Sequence, residues 1–298
     1  MNFEVLFLGT SAAVPSPSRS HASIAVKYFN EIMLFDCGEG TQRQLIRSGT
    51  SYMKINKIFI THFHGDHFLG LPGLFQTMAL AERTEPLELF GPNGIEEMLE
   101  TVLKMCRTQL TYEVIPRRIT SGKMDETELY RVSAVKVDHS ALTFGLVFEE
   151  VKGREFLLEK AVSLGLKPGP IFSKLKKGEE VKVNGRTITP DEVLGEKKQC
   201  KRIVYSSDTR PCKEVMDASK DAVLIHDSTF DDALKDQAKE ATHSTCVEAA
   251  EVALEGGAKS LFLTHISPRY KDSSLLLSQA KTVFNETSVA KDFLVFKP

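Results

Sequence analysis

Short apolar runs alternate along the chain with segments of helical periodicity, and this alternation predicts an α/β protein. Runs of β-branched and aromatic residues predict buried strands, for example at residues 3–8, 58–60 and 261–263. Helical spacing predicts helices at residues 41–46, 77–83 and 95–104, and further strands are predicted at residues 23–28 and 112–115. Because every apolar run is too short to cross a bilayer, no contact with a membrane is expected.

The strand predicted at residues 58–60 leads directly into four candidate metal ligands: His62, His64, Asp66 and His67. In an extended or turning chain His62 and His64 point the same way, and Asp66 and His67 can turn toward a second ion. Imidazole and carboxylate groups are ligands that zinc prefers. A surface histidine cluster is the alternative, but four such groups within six residues favour a metal site.

Single candidate ligands follow three later strands. His139 comes after the alternating strand predicted at residues 130–137, and Asp208 and His265 each follow a short apolar run. Taken alone, His139 is more typical of a turn residue. Only the four candidate ligands at residues 62–67 make it a candidate ligand as well.

The two halves of the chain carry a faint internal repeat. Residues 58–62 and 261–265 both read as three apolar residues followed by Thr-His, and another pair of buried strands ends in Asp36 and Asp208. Two such α/β units packed sheet to sheet, with helices outside, bring their ligands to a shared edge. Asp36 either caps the helix at residues 41–46 or supports a metal ligand.

The full set of candidates has seven members, which is more than one tetrahedral zinc needs and suits two ions. Asp208 is the natural bridge, since one carboxylate can span ions about 3.5–4 Å apart. Water bound to such ions has its pKa lowered toward roughly 7, so the pattern predicts metal-assisted hydrolysis. A set without Cys or Glu suits zinc better than a pair of oxygen-reducing irons. The members are His62, His64, Asp66, His67, His139, Asp208 and His265.

The composition changes over residues 151–195. This segment holds nine Lys/Arg against six Asp/Glu, a balance of +3 in a chain whose net charge is −2, and it is rich in glycine and proline. The pattern predicts an inserted arm. The arm is either a solvated surface insertion or a contact for a polyanion.

The whole-chain composition narrows the class further. With 42% hydrophobic and 26% charged residues, the chain is typical of a soluble globular protein, and its slightly acidic balance argues against indiscriminate nucleic-acid binding. Five scattered cysteines and no evident signal peptide favour a reduced, cytoplasmic setting.

The order Thr-His-x-His-x-Asp-His, then single His, Asp and His, resembles the metallo-β-lactamase superfamily, and five further runs narrow the resemblance to the ribonuclease Z family. These runs are residues 35–42, 69–74, 207–211, 243–245 and 264–270. The resemblance implies a single four-layer αββα sandwich over residues 1–298, with residues 151–195 as a protruding tRNA-binding arm. It also implies a homodimer with two Zn²⁺ per chain that removes the 3′ trailer from precursor tRNA, cleaving after the discriminator nucleotide.

The resemblance also implies a role for each site residue. One zinc would be held by His62, His64 and His139, the other by Asp66, His67 and His265, with Asp208 between them. Asp66 resembles the family's proton acceptor and His243 its proton donor to the leaving group. The alternative for His243 is a structural position beside the helix cap that Thr245 and Glu248 predict. Asp227 is a candidate to orient His243, from its position in the sequence.

The chain departs from the family in its first loop. Where the family often has Pro-x-Lys-x-Arg-Asn, this chain keeps Arg19 but has Pro17 for the lysine and Ser20 for the asparagine. That loop is associated with discrimination at the tRNA 3′ end. The family's discrimination against RNA that ends in CCA therefore cannot be assumed for this chain.

Three other functions fit part of the pattern. A thioesterase or lactonase of the same fold would need the metal site but not the basic arm. A non-catalytic RNA-binding module would not need seven intact ligands. A flavodiiron-type oxidoreductase fits least, because His67 is present and no flavin-binding segment is visible.

Overall fold

The computed structural model describes residues 3–107, 109–183, 185–196 and 199–298, and its frame consists of two seven-stranded sheets. The first sheet has the spatial order β16-β1-β2-β3-β4-β5-β6, and the second has the order β15-β14-β13-β12-β9-β8-β7. The first comprises β1 (Phe3–Gly9), β2 (Ser23–Tyr28), β3 (Glu31–Phe35), β4 (Ile55–Phe59), β5 (Leu87–Gly91), β6 (Val114–Arg118) and β16 (Val295–Phe296). The second comprises β7 (Gly122–Glu126), β8 (Tyr130–Lys136), β9 (Phe144–Glu150), β12 (Arg202–Tyr205), β13 (Val223–Asp227), β14 (Ser260–Thr264) and β15 (Thr287–Val289).

Helices cover the outer face of each sheet. One apolar cluster joins the first sheet to α1, α3 and α4, and another joins the second sheet to α8, α10 and α11. The helices of the two sheets are α1 (Thr41–Arg47), α2 (Gly65–Phe68), α3 (Leu71–Leu80), α4 (Ile95–Cys106), α8 (Lys213–Ala218), α9 (Lys235–Glu240), α10 (Cys246–Glu255) and α11 (Ser274–Lys281). The predicted four-layer αββα sandwich is confirmed.

The inner faces of the two sheets meet through aromatic side chains. Phe7 and Phe262 have ring centroids 5.6 Å apart, and Phe35 stacks on Tyr205 at 6.4 Å. In the first sheet β3, β4 and β5 are parallel, and in the second β12, β13 and β14 are parallel. The carboxyl ends of parallel strands share one edge, so each sheet delivers its loops to one place.

Two predicted elements differ from the structure by more than a shift of their ends. A helix was expected through residues 77–83, but α3 begins earlier, at Leu71, and ends at Leu80, because the chain turns through Glu82 at a φ of 58°. The strand expected at residues 112–115 begins later, at Val114, because Tyr112 packs into the helix layer and its hydroxyl donates to Phe75 O.

A second compact unit comprises Glu126–Arg131 and Glu149–Lys201. It contains α5 (Leu158–Ser163), α6 (Pro170–Lys176), α7 (Pro190–Val193) and a hairpin of β10 (Val181–Val183) and β11 (Arg186–Ile188). It has its own apolar core, which includes Ala161, Leu175 and Ile188. The predicted arm falls in this unit, with residue 184 outside the described residues. Among the residues that the structure describes, no helix is both long and apolar enough to span a bilayer.

Candidate metal centre

The site lies where strands end and the backbone turns sharply. Asp36 follows β3, Ser207 lies two residues beyond β12, and His265 follows β14; their φ angles are 59°, 57° and 56°. This left-handed region is costly for residues with a Cβ, by about 1–3 kcal/mol each, and it occurs often at functional sites. The turns keep Asp36, Asp208 and His265 at the shared strand edge instead of continuing the strands.

Four candidate ligands from both sheets form the first cluster: His62, His64, His139 and Asp208, each with one ligand atom within 4.8 Å of those of the others. His139 Nε2 lies 3.2 Å from His64 Nδ1, and His62 Nε2 lies 3.6 Å from Asp208 Oδ2. The carboxylate of Asp208 therefore faces a group of three imidazoles.

The second cluster joins Asp66, His67 and His265. His67 Nε2 and His265 Nε2 lie 3.6 and 3.3 Å from Asp66 Oδ2. The same two nitrogens lie 3.3 Å from Asp208 Oδ2 and 3.4 Å from Asp208 Oδ1. Asp208 thus lies between the two clusters, and the structure brings all seven predicted residues together.

The spacing and burial of these atoms fit metal ions. A tetrahedral zinc with ligands at 2.0–2.2 Å separates those ligands by roughly 3.3–3.6 Å, which matches the distances above. Three buried atoms, His62 Nε2, His67 Nε2 and Asp208 Oδ1, have no hydrogen-bond partner anywhere in the described part of the chain. Buried polar atoms almost always have a partner, so a bound cation is the partner that these three atoms lack.

The other ring nitrogen of most histidines is held by the protein. Nδ1 of His67 donates to Asp36 at 2.7 Å, Nδ1 of His139 lies 2.9 Å from Thr242 O, and Nδ1 of His265 lies 2.9 Å from Thr229 Oγ1. Partners of this kind fix the ring orientation and leave Nε2 free for a metal. His64 instead turns its Nδ1 toward the first cluster.

Burial and neighbouring charges set the protonation of the site. Burial, together with the nearby His67, lowers the pKa of His62 to about 2, so its imidazole is neutral as a ligand must be. Burial opposes ionisation of Asp208, but His265 and His67 outweigh it and hold the pKa of this carboxyl well below its ordinary value. The pKa of Asp66 is lowered as well: burial opposes its ionisation, but the neighbouring His265 and His67 outweigh burial.

Asp36 is the centre of a buried hydrogen-bond network that the sequence indicated only in part. Besides His67, it accepts hydrogen bonds from Thr61 N at 2.8 Å and from the Tyr205 hydroxyl at 2.9 Å. Ser207 Oγ donates to Thr61 Oγ1 at 2.7 Å, which links the two sheets again. Asp36 does not cap α1, whose N-cap is Gly40. Tyr205 and Ser207 carried no sequence signal beyond their positions before Asp208.

His243 lies beside both clusters. Its ring is 5.0 Å from that of His139 and 5.2 Å from that of His265, and its Nδ1 donates to Asp227 Oδ2 at 2.8 Å. Burial opposes its charged form, but Asp227 outweighs burial and raises the pKa of His243 to about 9. The expected capping box of Thr245 and Glu248 is present just beyond it.

Arg19 is turned into the protein. Its Nη1 donates to Thr10 Oγ1 and to Ala290 O, both at 2.6 Å. Asp292 lies beside it and accepts from Ser20 N at 2.7 Å. The arginine of the first loop therefore fastens that loop to the C-terminal segment.

The sandwich and the convergent His/Asp set define a protein of the metallo-β-lactamase fold. A metallo-β-lactamase-fold protein of Bacillus subtilis, YhfI, matches at a TM-score of 0.72 over 100% of both chains, with 18% identity. The family model described as Anti-Pycsar protein Apyc1 matches residues 3–163.

More specifically, the chain belongs to the ribonuclease Z family. It is 48% identical to ribonuclease Z of Methanothermobacter thermautotrophicus over 98% of this chain and 95% of the relative. It is 44% identical to that of Methanosarcina mazei over 97% and 96%. The crystal structure of the short form of human tRNase Z (ELAC1) matches at a TM-score of 0.73 and 30% identity, over 99% of this chain and 98% of that one. The expected family is confirmed.

Proposed function

We propose that this protein is a metal-dependent endoribonuclease that removes 3′ trailers from precursor tRNA. It cleaves after the discriminator nucleotide and leaves a 3′-hydroxyl on the tRNA. The convergence of seven His and Asp ligand atoms, in a chain that aligns from end to end with ribonuclease Z, carries the proposal.

Two Zn²⁺ ions per chain are the cofactors that we infer. His62, His64 and His139 would hold one, Asp66, His67 and His265 the other, and Asp208 would serve both. When bound, the ions supply Lewis acidity toward the phosphate and a nucleophile at neutral pH. The short N···O distances around Asp208 support this assignment.

The chain's own residues would manage the protons. Asp66, with Oδ2 already held by the Ala13 amide at 2.9 Å, accepts the proton of the attacking water. As the P–O3′ bond breaks, His243 donates a proton to the leaving 3′ oxygen of the tRNA. Asp227 holds His243 Nδ1, and thereby orients the ring and stabilises its charged form.

We further propose that the segment at residues 151–195 binds the tRNA backbone, that the protein is a homodimer and that it works in the cytoplasm. The segment's charge of +3 suits phosphates, and A-form RNA is read mostly through shape and backbone. The odd, scattered cysteines suit a reducing compartment.

Cleavage of a precursor tRNA with a 3′ trailer, followed by mapping of both new ends, tests this function. We expect a 3′-hydroxyl after the discriminator nucleotide and loss of cleavage on chelation. Turnover of small phosphodiesters, thioesters or lactones with an intact precursor would instead favour the small-molecule hydrolase.

A further inference from the structure

A polar cleft of about 500 Å³ lies between the first loop and α1. Residues 15–17 and Ser20 form one wall, and Arg43, Gln44 and Arg47 line the other. The function proposed above does not use this cleft.

Two guanidinium groups dominate the charge of the cleft. Arg43 and Arg47 are four residues apart on α1, so they share one face of the helix. Arg47 donates to Gln44 Oε1 at 3.1 Å and lies over the Phe293 ring, 4.8 Å from its centroid. Arg43 makes no hydrogen bond or ion pair within the described ranges, so its donors remain available.

The acidic residue of the lining only partly offsets these charges. Glu39 is 67% exposed, and its carboxylate faces His21 Nδ1 at 3.6 Å. Two arginines against one glutamate leave the cleft a surplus of positive charge in a chain of net charge −2. A guanidinium offers planar paired donors that match phosphate oxygens.

The chain segments that lead into both walls of the cleft contact residues of the candidate metal centre. In the first loop, Ala13 N donates to Asp66 Oδ2 at 2.9 Å. On the α1 side, Cys37 N donates to His67 O at 2.8 Å, and Gly38 packs so closely that a Cβ there would lie 2.3 Å from Asp66 O. The cleft is therefore only a few residues along the chain from contacts with Asp66 and His67, which is the reason to consider it for the substrate of that centre.

We propose that this cleft binds a backbone phosphate of the substrate RNA close to the scissile bond, with Arg43 and Arg47 as the donors. This inference rests on the proposed function. Arg19 cannot take this role, because its guanidinium is engaged by Thr10 and Ala290. A phosphate on the tRNA side and one on the trailer side present the same chemistry, and the test separates them.

The test compares Arg43→Gln, Arg47→Gln and the double variant with a matched control, Arg118→Gln. Arg118 is also exposed. It lies on β6, in another part of the first sheet, and pairs with Glu96 of α4. We expect each cleft variant to raise KM for precursor tRNA roughly fivefold, with kcat unchanged. The slope of log(kcat/KM) against log salt should become shallower by about 0.7 per lost contact. Hydrolysis of bis(4-nitrophenyl) phosphate should not change.

Substrates with one uncharged methylphosphonate linkage locate the phosphate. When the modified linkage is the one that the cleft binds, wild type and Arg43→Gln should have equal KM. The position of that linkage, before or after the scissile bond, then identifies the phosphate. If Arg43→Gln and Arg47→Gln match Arg118→Gln in KM and salt slope while the wild type cleaves the precursor, this inference fails and the proposed function stands. If the wild type does not cleave the precursor, the proposed function fails and takes this inference with it.

Discussion

At the scale of single residues, the site depends on which ring nitrogen the protein holds. His67, His139 and His265 have Nδ1 engaged by Asp36, Thr242 O and Thr229, so their Nε2 atoms converge on the carboxylates. His243 follows the same rule, with the buried Asp227 carboxylate as its partner. Asp227 outweighs burial and favours the imidazolium form of His243, which suits a proton donor.

Replacing His243 by alanine should slow precursor tRNA cleavage by about a hundredfold or more, because general acid catalysis is lost. Bis(4-nitrophenyl) phosphate should be affected least, since nitrophenolate leaves without a proton. Rates on both substrates, with bound metal measured as the control, check this. An equal loss on the two would refute the acid role.

At the scale of secondary structure, β12 connects the two halves of the site. It ends at Tyr205, whose hydroxyl reaches Asp36 of the first sheet, and the following residues supply Ser207 and Asp208. One strand end of the second sheet therefore orients a histidine of the first. We expect this connection to influence metal binding.

The variant Tyr205→Phe should weaken metal binding about tenfold, the lower end of what loss of an outer hydrogen bond costs. Tyr112→Phe is a matched control, because its buried hydroxyl donates to Phe75 O within the helix layer. Equilibrium competition with a chelator measures the affinity. Equal metal affinity in the two variants would rule out a positioning role for Tyr205.

The start of α10 should make stability depend on acid pH. Burial opposes ionisation of Glu248, but Arg210 and the Thr245 amide outweigh it and lower its pKa from 4.5. The folded pKa is below the unfolded one, so the stabilisation is present above pH 4.5 and is lost as the pH falls through the folded pKa. The free energies of unfolding of Glu248→Gln and of the wild type should therefore converge at acid pH. Urea titrations of the chelated proteins measure both. A pH-independent difference would contradict this.

Strand interiors were predictable because alternation and apolar runs follow directly from burial. β2 has the predicted bounds, and β4 and β14 lie where their apolar runs are. β6 was displaced because it contains Pro116 and lies at the sheet edge, where tertiary packing of Tyr112 decides the start. Propensity alone does not contain that packing.

At the scale of the whole molecule, two sheets that pack face to face bring their strand ends together at the metal ligands. The repeat of Thr-His after β4 and β14 made the meeting of His62 and His265 predictable, because equivalent strands end at equivalent edges. The Tyr205–Asp36 contact and the inward orientation of Arg19 were not predictable. Each depends on two groups that are more than a hundred residues apart in the sequence: Tyr205 and Asp36, and Arg19 and the backbone of Ala290.

Replacing residues 155–190 by a short flexible linker should separate chemistry from substrate binding. The flanking Arg154 and Asp191 are already ion-paired, so the cut ends lie close together. We expect unchanged kcat for bis(4-nitrophenyl) phosphate and a strongly raised KM for precursor tRNA. Lys174→Gln with Lys177→Gln, both exposed on or beside α6, should give a weaker form of the same effect with the unit intact. Equal loss on both substrates would count against a binding role for the arm.

The most direct test of the account is a titration of Zn²⁺ into the chelated protein, with cleavage of precursor tRNA followed at each addition and metal content determined on the same samples. Seven convergent ligands predict no cleavage without metal and a rise to a plateau at two ions per chain, with lower metal content in Asp208→Ala. Full cleavage by the metal-free chain, or unchanged metal content and activity in Asp208→Ala, would contradict the account.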